Sequence, residues 1–177
     1  MHSILKSTMI LALGLALAAC GGDADGKGPS TETESLLPAD LVVTALEGEP
    51  QTITQVKASA KVGAEVLVKG YIGGSAEPFQ AELAAFTIAD TDIVTPCNER
   101  PADSCPIPWD FCCDPPDKRA AAMASVQVVD AKGLPVAQGL EGHGGLAKGG
   151  RIIVKGTVTM AEAGNLVIDA AAIRVVR

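Results

Sequence analysis

Aromatic side chains are scarce, only 3% of the 177 residues, with one Trp, one Tyr and three Phe, and histidine occurs twice. So few rings offer little for base stacking, and a net charge of −7 lacks the surplus of lysine and arginine needed to neutralise a phosphate backbone. A nucleic acid is therefore excluded as the main partner. Apolar runs of spanning length are missing too. The longest, residues 9–19, falls well short of the about 20 residues a transmembrane helix requires. Catalytic patterns are equally sparse. His143 stands in Leu140-Glu141-Gly142-His143-Gly144-Gly145, a glycine-rich stretch without the strand-then-helix setting of a phosphate cradle, and no serine occupies a nucleophile elbow. The expectation is a non-catalytic chain with no cofactor.

What is present begins with an address. Lys6 supplies a positive n-region, Met9 to Leu17 an apolar h-region, and Leu17-Ala18-Ala19 a small-residue cleavage site, so residues 1–19 read as an export signal. Leu17-Ala18-Ala19-Cys20 resembles the bacterial lipobox, in which the cysteine is acylated and becomes the first residue of the mature chain. The resemblance implies a lipid anchor on Cys20 and a place in the cell envelope. Gly21 after the cysteine, by analogy with the sorting rule of enterobacterial lipoproteins, points to the outer membrane, facing periplasm or exterior. Residues 20–40 hold Gly21, Gly22, Gly26, Gly28 and Pro29 with five acidic residues against one lysine, a composition that cannot bury a core and reads as a flexible tether. Residues 41–177 are then one domain.

Strand patterning dominates that domain, giving an all-β expectation. In 64–73, Val66, Val68 and Ile72 share one face, with Leu67, Lys69 and Tyr71 opposite. In 151–160, Ile152, Val154, Val158 and Met160 share one face, with Ile153, Lys155 and Thr157 opposite. Further strands are expected at 84–90, 124–130 and 165–176, the last bulged at 170–172 where the alternation changes phase. One short helix over 52–61, capped by Thr52 or Thr54, precedes the first strand. Gly70 and Gly156 stand in mid-strand, where glycine marks a sharp bend. Five strands with bends in the first and fourth, and an irregular stretch between the third and fourth, match the order of a five-stranded OB-fold barrel. Ile53-Thr54-Gln55-Val56-Lys57 followed by Val66-Leu67-Val68-Lys69-Gly70 also resembles the opening of the small periplasmic bacterial OB-fold proteins. That resemblance implies a barrel whose strand face binds a ligand.

Between the second and third strands lies a long loop, residues 91–118, with Cys97, Cys105, Cys112, Cys113 and six prolines. The prolines argue against regular helix or central strand, so order must come from crosslinks, a metal, or packing of Trp109. With Cys20 assigned to lipid, four cysteines in an exported chain suggest two disulfides. Neighbouring Cys112 and Cys113 are poor partners for each other. That leaves Cys97–Cys113 with Cys105–Cys112, or Cys97–Cys112 with Cys105–Cys113. A four-thiolate zinc site lacks the usual pair of Cys-x₂₋₄-Cys spacings, so no metal is assigned. A redox switch lacks Cys-x-x-Cys, and Asp110 and Asp114 would raise rather than lower a thiol pKa. Asp90-Thr91-Asp92 resembles the start of a calcium loop but has no glycine at the sixth position, and reads as strand-end turn residues.

The sequence reading is a lipid-anchored envelope module that binds an unknown envelope protein or small ligand. Its candidate face is Lys69, Tyr71, Trp109, Lys155 and Thr157. The alternative is a metal-binding or thiol-redox protein centred on the four loop cysteines.

Overall fold

The computed structural model describes residues 35–162 and 164–176. The export signal and Cys20, with most of the expected tether, lie outside the described residues.

The single helix expected before the first strand is α1, Ile53–Ser59. Thr52 rather than Thr54 is its cap. The Thr52 hydroxyl accepts from the Gln55 backbone N–H while the Gln55 side chain accepts from that of Thr52, so two otherwise orphaned donors are satisfied reciprocally. Ile53 and Val56, three residues apart, turn to the core.

The strands are β1 (Glu65–Ile72), β2 (Ala85–Ala89), β3 (Met123–Gln127), β4 (Arg151–Glu162) and β5 (Asn165–Val176). They form one sheet that closes into a ring in the order β1-β2-β3-β5-β4. β1 runs antiparallel to β4 from Glu65↔Thr157 to Tyr71↔Arg151, and touches β2 only at Tyr71↔Ala89 and Ile72↔Ile88. A parallel pairing, β3 with β5, completes the closure. Alternating residues point inward, among them Val66, Val68, Phe86, Ile88, Val126, Val154 and Ile168.

The bulge expected in the last strand is present. Lys155 pairs with Ala172 and Gly156 with Ala170, leaving Ala171 as the extra residue. At that point a Cβ on Gly156 would lie 2.3 Å from the Asp169 carbonyl oxygen, and one on Gly70 would lie 2.9 Å from Ile88 Cδ1. Both mid-strand glycines therefore permit close approach, one of backbone and one of a side chain.

Several expectations need correction. Met160 does not share the inner face with Val158. A second register shift lies between them, β4 runs on to Glu162, and Met160 is 46% exposed. β3 stops at Gln127 rather than 130. Asp130 Oδ1 accepts from the backbone N–H of Lys132 and Leu134, so an aspartate turn redirects the chain there. Packing begins before residue 41, since Leu37 is buried and the backbone of Leu41 and Val43 bonds to Ile173. Finally, the proline-rich loop contains a second helix, α2, Pro116–Ala122. Pro115 stands at the cap position without a side-chain capping bond, and Pro116 takes the first helical position, where the missing N–H has no partner to lose and the fixed φ suits the helix. The prolines start this helix rather than forbid it. Among the described residues no helix is long and apolar enough to cross a membrane.

Candidate functional site

The cysteine loop is folded onto the outside of the ring, where it builds a second, smaller core. Tyr71, Ala89, Val94, Phe111 and Ala122 are its buried members. Phe111 is fully buried and meets the Tyr71 ring edge-on, with centroids 5.8 Å apart. Trp109 is only partly buried. Its indole N–H donates to the Ala76 carbonyl, its own carbonyl accepts from Gly74, and the Lys148 ammonium sits 5.5 Å from its ring.

Tyr71 is thus no part of an open face. The loop covers it, leaving it 2% exposed, and this burial together with nearby Glu99 raises its phenol pKa. Lys69 remains on the outside in an ion pair with Asp92, and Lys155 and Thr157 also lie outward on β4, Lys155 exposed and Thr157 partly covered. The five candidate binding residues therefore divide. Tyr71 and Trp109 belong to the loop's platform, while Lys69, Lys155 and Thr157 share the exterior of β1 and β4.

Asp114 is the loop's polar hub. Its Oδ2 accepts from the Thr95 backbone N–H at 3.1 Å and from Arg100, and its Oδ1 from Lys118 one helical turn on. Burial would raise the carboxyl, but the Thr95 N–H, Lys118 and Arg100 outweigh it and hold the pKa below the ordinary aspartate value. A depressed carboxyl stabilises the fold above its unfolded pKa and loses that contribution as pH falls through the folded one. Acidification below the usual carboxylate range should therefore loosen the loop first. The check is Trp109 emission, which should move to the red before the far-ultraviolet signal of the sheet changes, and should already be red-shifted at neutral pH in Asp114→Asn.

The four cysteines converge beneath this hub. Cys97 opens a 3₁₀ turn, Cys97–Glu99, which is held against the far side of the loop by Cys97 N–H to Asp110 O and Asn98 N–H to Pro108 O. Those bonds bring Cys97 beside Cys112, Sγ to Sγ 3.6 Å. Cys105 Sγ lies 3.5 Å and Cys113 Sγ 3.9 Å from the same Cys112 sulfur. All four are thiols at these separations, against about 2.05 Å for a disulfide bond. The expected pairs are not held as two separate couples, because Cys112 lies against both Cys97 and Cys105. Asp103, which sequence reasoning did not single out, joins the cluster. Its Oδ1 accepts from the Cys105 backbone N–H at 2.7 Å, and its Oδ2 lies 3.6 Å from Cys113 Sγ.

Burial above all, then the neighbouring thiols of Cys112 and Cys105, pushes the Cys97 thiol far up. The contact with Cys105 likewise raises Cys112. Burial and the neighbouring thiols, rather than Asp110 or Asp114, lead both shifts. Both shifts favour the protonated thiol, so neither Cys97 nor Cys112 is poised as a nucleophile.

A second opening lies at the end of the ring where β1, β2, β4 and β5 meet, a cleft of about 270 Å³. Lys69, Asp90, Asp92, Arg151 and Arg174 converge on it. Asp90 and Asp92 are strand-end turn residues, as expected. Asp90 is buried and accepts from the Thr54 N–H and hydroxyl and from the Asp92 N–H. Arg151 bonds Thr91 and Glu99. Arg174 differs, since its Nε is buried with no hydrogen-bond partner among the described residues. Arg174 went unnoticed in the sequence because it sits past the bulge, where the alternation no longer tells which way a side chain faces. His143 is in a short 3₁₀ turn, His143–Gly145, away from both sites. Comparison with protein-family models, with curated proteins and with solved structures finds no match to this chain.

Proposed function

We propose that this chain is a membrane-anchored, non-catalytic binding module of the cell envelope, built on an OB-fold barrel and taking a small ligand with an anionic group. The observation that carries the binding reading is the end-of-ring cleft, where Arg174 keeps a buried, unpartnered Nε–H beside Arg151 and Lys69. A buried donor without an acceptor costs free energy that a carboxylate or phosphate oxygen would recover. Support for the OB-fold comes from five strands in the ring order β1-β2-β3-β5-β4, the short helix ahead of β1, the close approaches at Gly70 and Gly156 and the register shift beside Gly156. Support for the anchor is Leu17-Ala18-Ala19-Cys20 and the glycine-rich acidic stretch after it.

The cleft is tested by titrating the full chain, extracted in detergent, with inorganic phosphate and with short dicarboxylates while following the arginine Nε–H and the Ile152 and Ile153 amide resonances. Shifts should be confined to Arg151, Arg174 and their neighbours, and Arg174→Gln should abolish them. Unperturbed spectra with every probe would remove the reading. The anchor is tested separately. Cys20→Ser should move the protein from the detergent phase to soluble or uncleaved fractions, because acyl chains contribute about 0.8 kcal/mol per buried CH₂ and nothing else in the sequence is long enough to hold a bilayer. Unchanged partitioning would rule out the lipid.

A further inference from the structure

We infer that Cys97, Cys105, Cys112 and Cys113 together form a four-thiolate site for one soft d¹⁰ divalent cation, zinc first, which fastens the loop to itself. The inference stands apart from the cleft and from the anchor, and rests on the arrangement of the sulfurs. In two disulfides each sulfur has one partner. Here the Cys112 sulfur has three, at 3.5, 3.6 and 3.9 Å. Four sulfurs at the Zn–S distance of about 2.3 Å occupy the corners of a tetrahedron with edges of about 3.8 Å, so that every sulfur has three neighbours at that length. The three edges meeting at Cys112 have the lengths such a tetrahedron needs.

Two of the three remaining edges are within reach, leaving Cys105 and Cys113 as the pair that the ion would draw together. The sulfurs of Cys97, Cys105 and Cys112 lie within 4.8 Å of one another, and those of Cys97 and Cys113 meet the same limit. The irregular spacing, with seven residues, six and none between successive cysteines, hides this in the sequence. The fold overcomes it by pairing Cys97 and Asn98 with Pro108 and Asp110 across the loop. No second chain and no oxidant is needed. Four thiols bind Zn²⁺ by releasing four protons, and no sulfur changes oxidation state.

The surroundings suit a negatively charged thiolate centre. Arg100 is near enough to Cys97 and Cys113 for their charges to act on it, and it is itself fixed by Asp114 and by the Thr95 carbonyl. The Cys112 backbone N–H acts on the Cys97 sulfur in the sense that favours a thiolate. Charge-assisted and N–H···S contacts of this kind orient the ligands and offset their charge. Asp103 accepts from the Cys105 N–H and so acts as a positioning residue that holds Cys105 toward the other three. The metal and the disulfides exclude each other, because each uses the same sulfurs.

The experiment uses the full-length chain, extracted in detergent without chelator or reductant. Elemental analysis should find one zinc per chain. Alkylation followed by mass spectrometry should label none of the four loop cysteines until a chelator is added, and then all four. Replacing the zinc with cobalt should give the thiolate charge-transfer absorption and the intense visible bands of a tetrahedral centre. Cys112→Ser and, independently, Cys105→Ser should weaken retention by more than about a hundredfold, beyond the 10 to 100-fold typical of losing an outer-shell partner. Asp103→Asn should keep the cobalt spectrum with a smaller loss. Circular dichroism identifies any variant whose sheet is lost, in which case the other cysteine variant decides. Two disulfides and no metal, an octahedral cobalt spectrum, or zinc retained by both cysteine variants would overturn the site. Loss of the metal in Asp103→Asn with retention in Cys113→Ser would overturn the four-thiolate ligand set.

Discussion

Gly156→Val should abolish the folded state, while Gly70→Val should only weaken it. At Gly156 a Cβ meets the Asp169 carbonyl oxygen at 2.3 Å and Ile168 Cγ2 at 2.8 Å. That carbonyl belongs to the strand paired with β4, beside the bulge that leaves Ala171 unpaired. It can move only if the ladder between β4 and β5 opens. The expected cost is above about 4 kcal/mol, comparable with the whole stability of many domains of this size. At Gly70 the obstacles are Ile88 Cδ1 at 2.9 Å and Ile88 Cβ at 3.0 Å, and the first can rotate aside. Overpacking of that kind costs about 1 to 3 kcal/mol. Urea unfolding monitored by circular dichroism separates the two. Equal and small costs would show that the sheet does not bend closely at Gly156.

Phe111→Ala should detach the cysteine loop and leave the ring standing. Phe111 is fully buried, and its neighbours Tyr71, Val94 and Ala122 form a core of their own beside the main one. Truncating a buried Phe to Ala costs about 3 to 5 kcal/mol. The small outer core has few other apolar groups to absorb that loss, whereas the inner core shares none of these side chains. Trp109 emission should therefore shift to the red, with the sheet's thermal transition lowered far less than the loop's. Loop and ring melting together, by the same amount, would show that they form one cooperative unit.

The ring was largely legible in the sequence because its strands alternate. Val66 and Val68 in β1, and Ile152 and Val154 in β4, mark the inner face at a period of two, and the change of phase at 170–172 marks the bulge. The loop was not legible, for three physical reasons. Its apolar residues Val94, Trp109 and Phe111 obey no period, since each is placed by a turn rather than by an element. Pro116 forbids the middle of a helix but favours its beginning, and the choice between the two depends on the residues C-terminal to it. The spacing of the cysteines describes distance along the chain, while the sulfurs are gathered by hydrogen bonds across it. Tyr71 was misplaced for a related reason: alternation told correctly that it points out of the ring, but not that the loop would cover it there.

The order in which the ring closes sets when the protein can begin to exist as such. β1 finds its long partner only in β4, with Glu65 opposite Thr157, and β3 reaches β5 through Ser125 opposite Val167. During synthesis the first three strands emerge with only the β2–β3 ladder and a short β1–β2 contact available to them. Such a chain gains little by collapsing early, because loop closure must precede the contacts that stabilise it, and sheets of this kind fold in milliseconds to seconds. The ring can close only once β4 and β5 are both present. For the export proposed above, that delay would keep the ring from closing until β4 and β5 had followed the first three strands across.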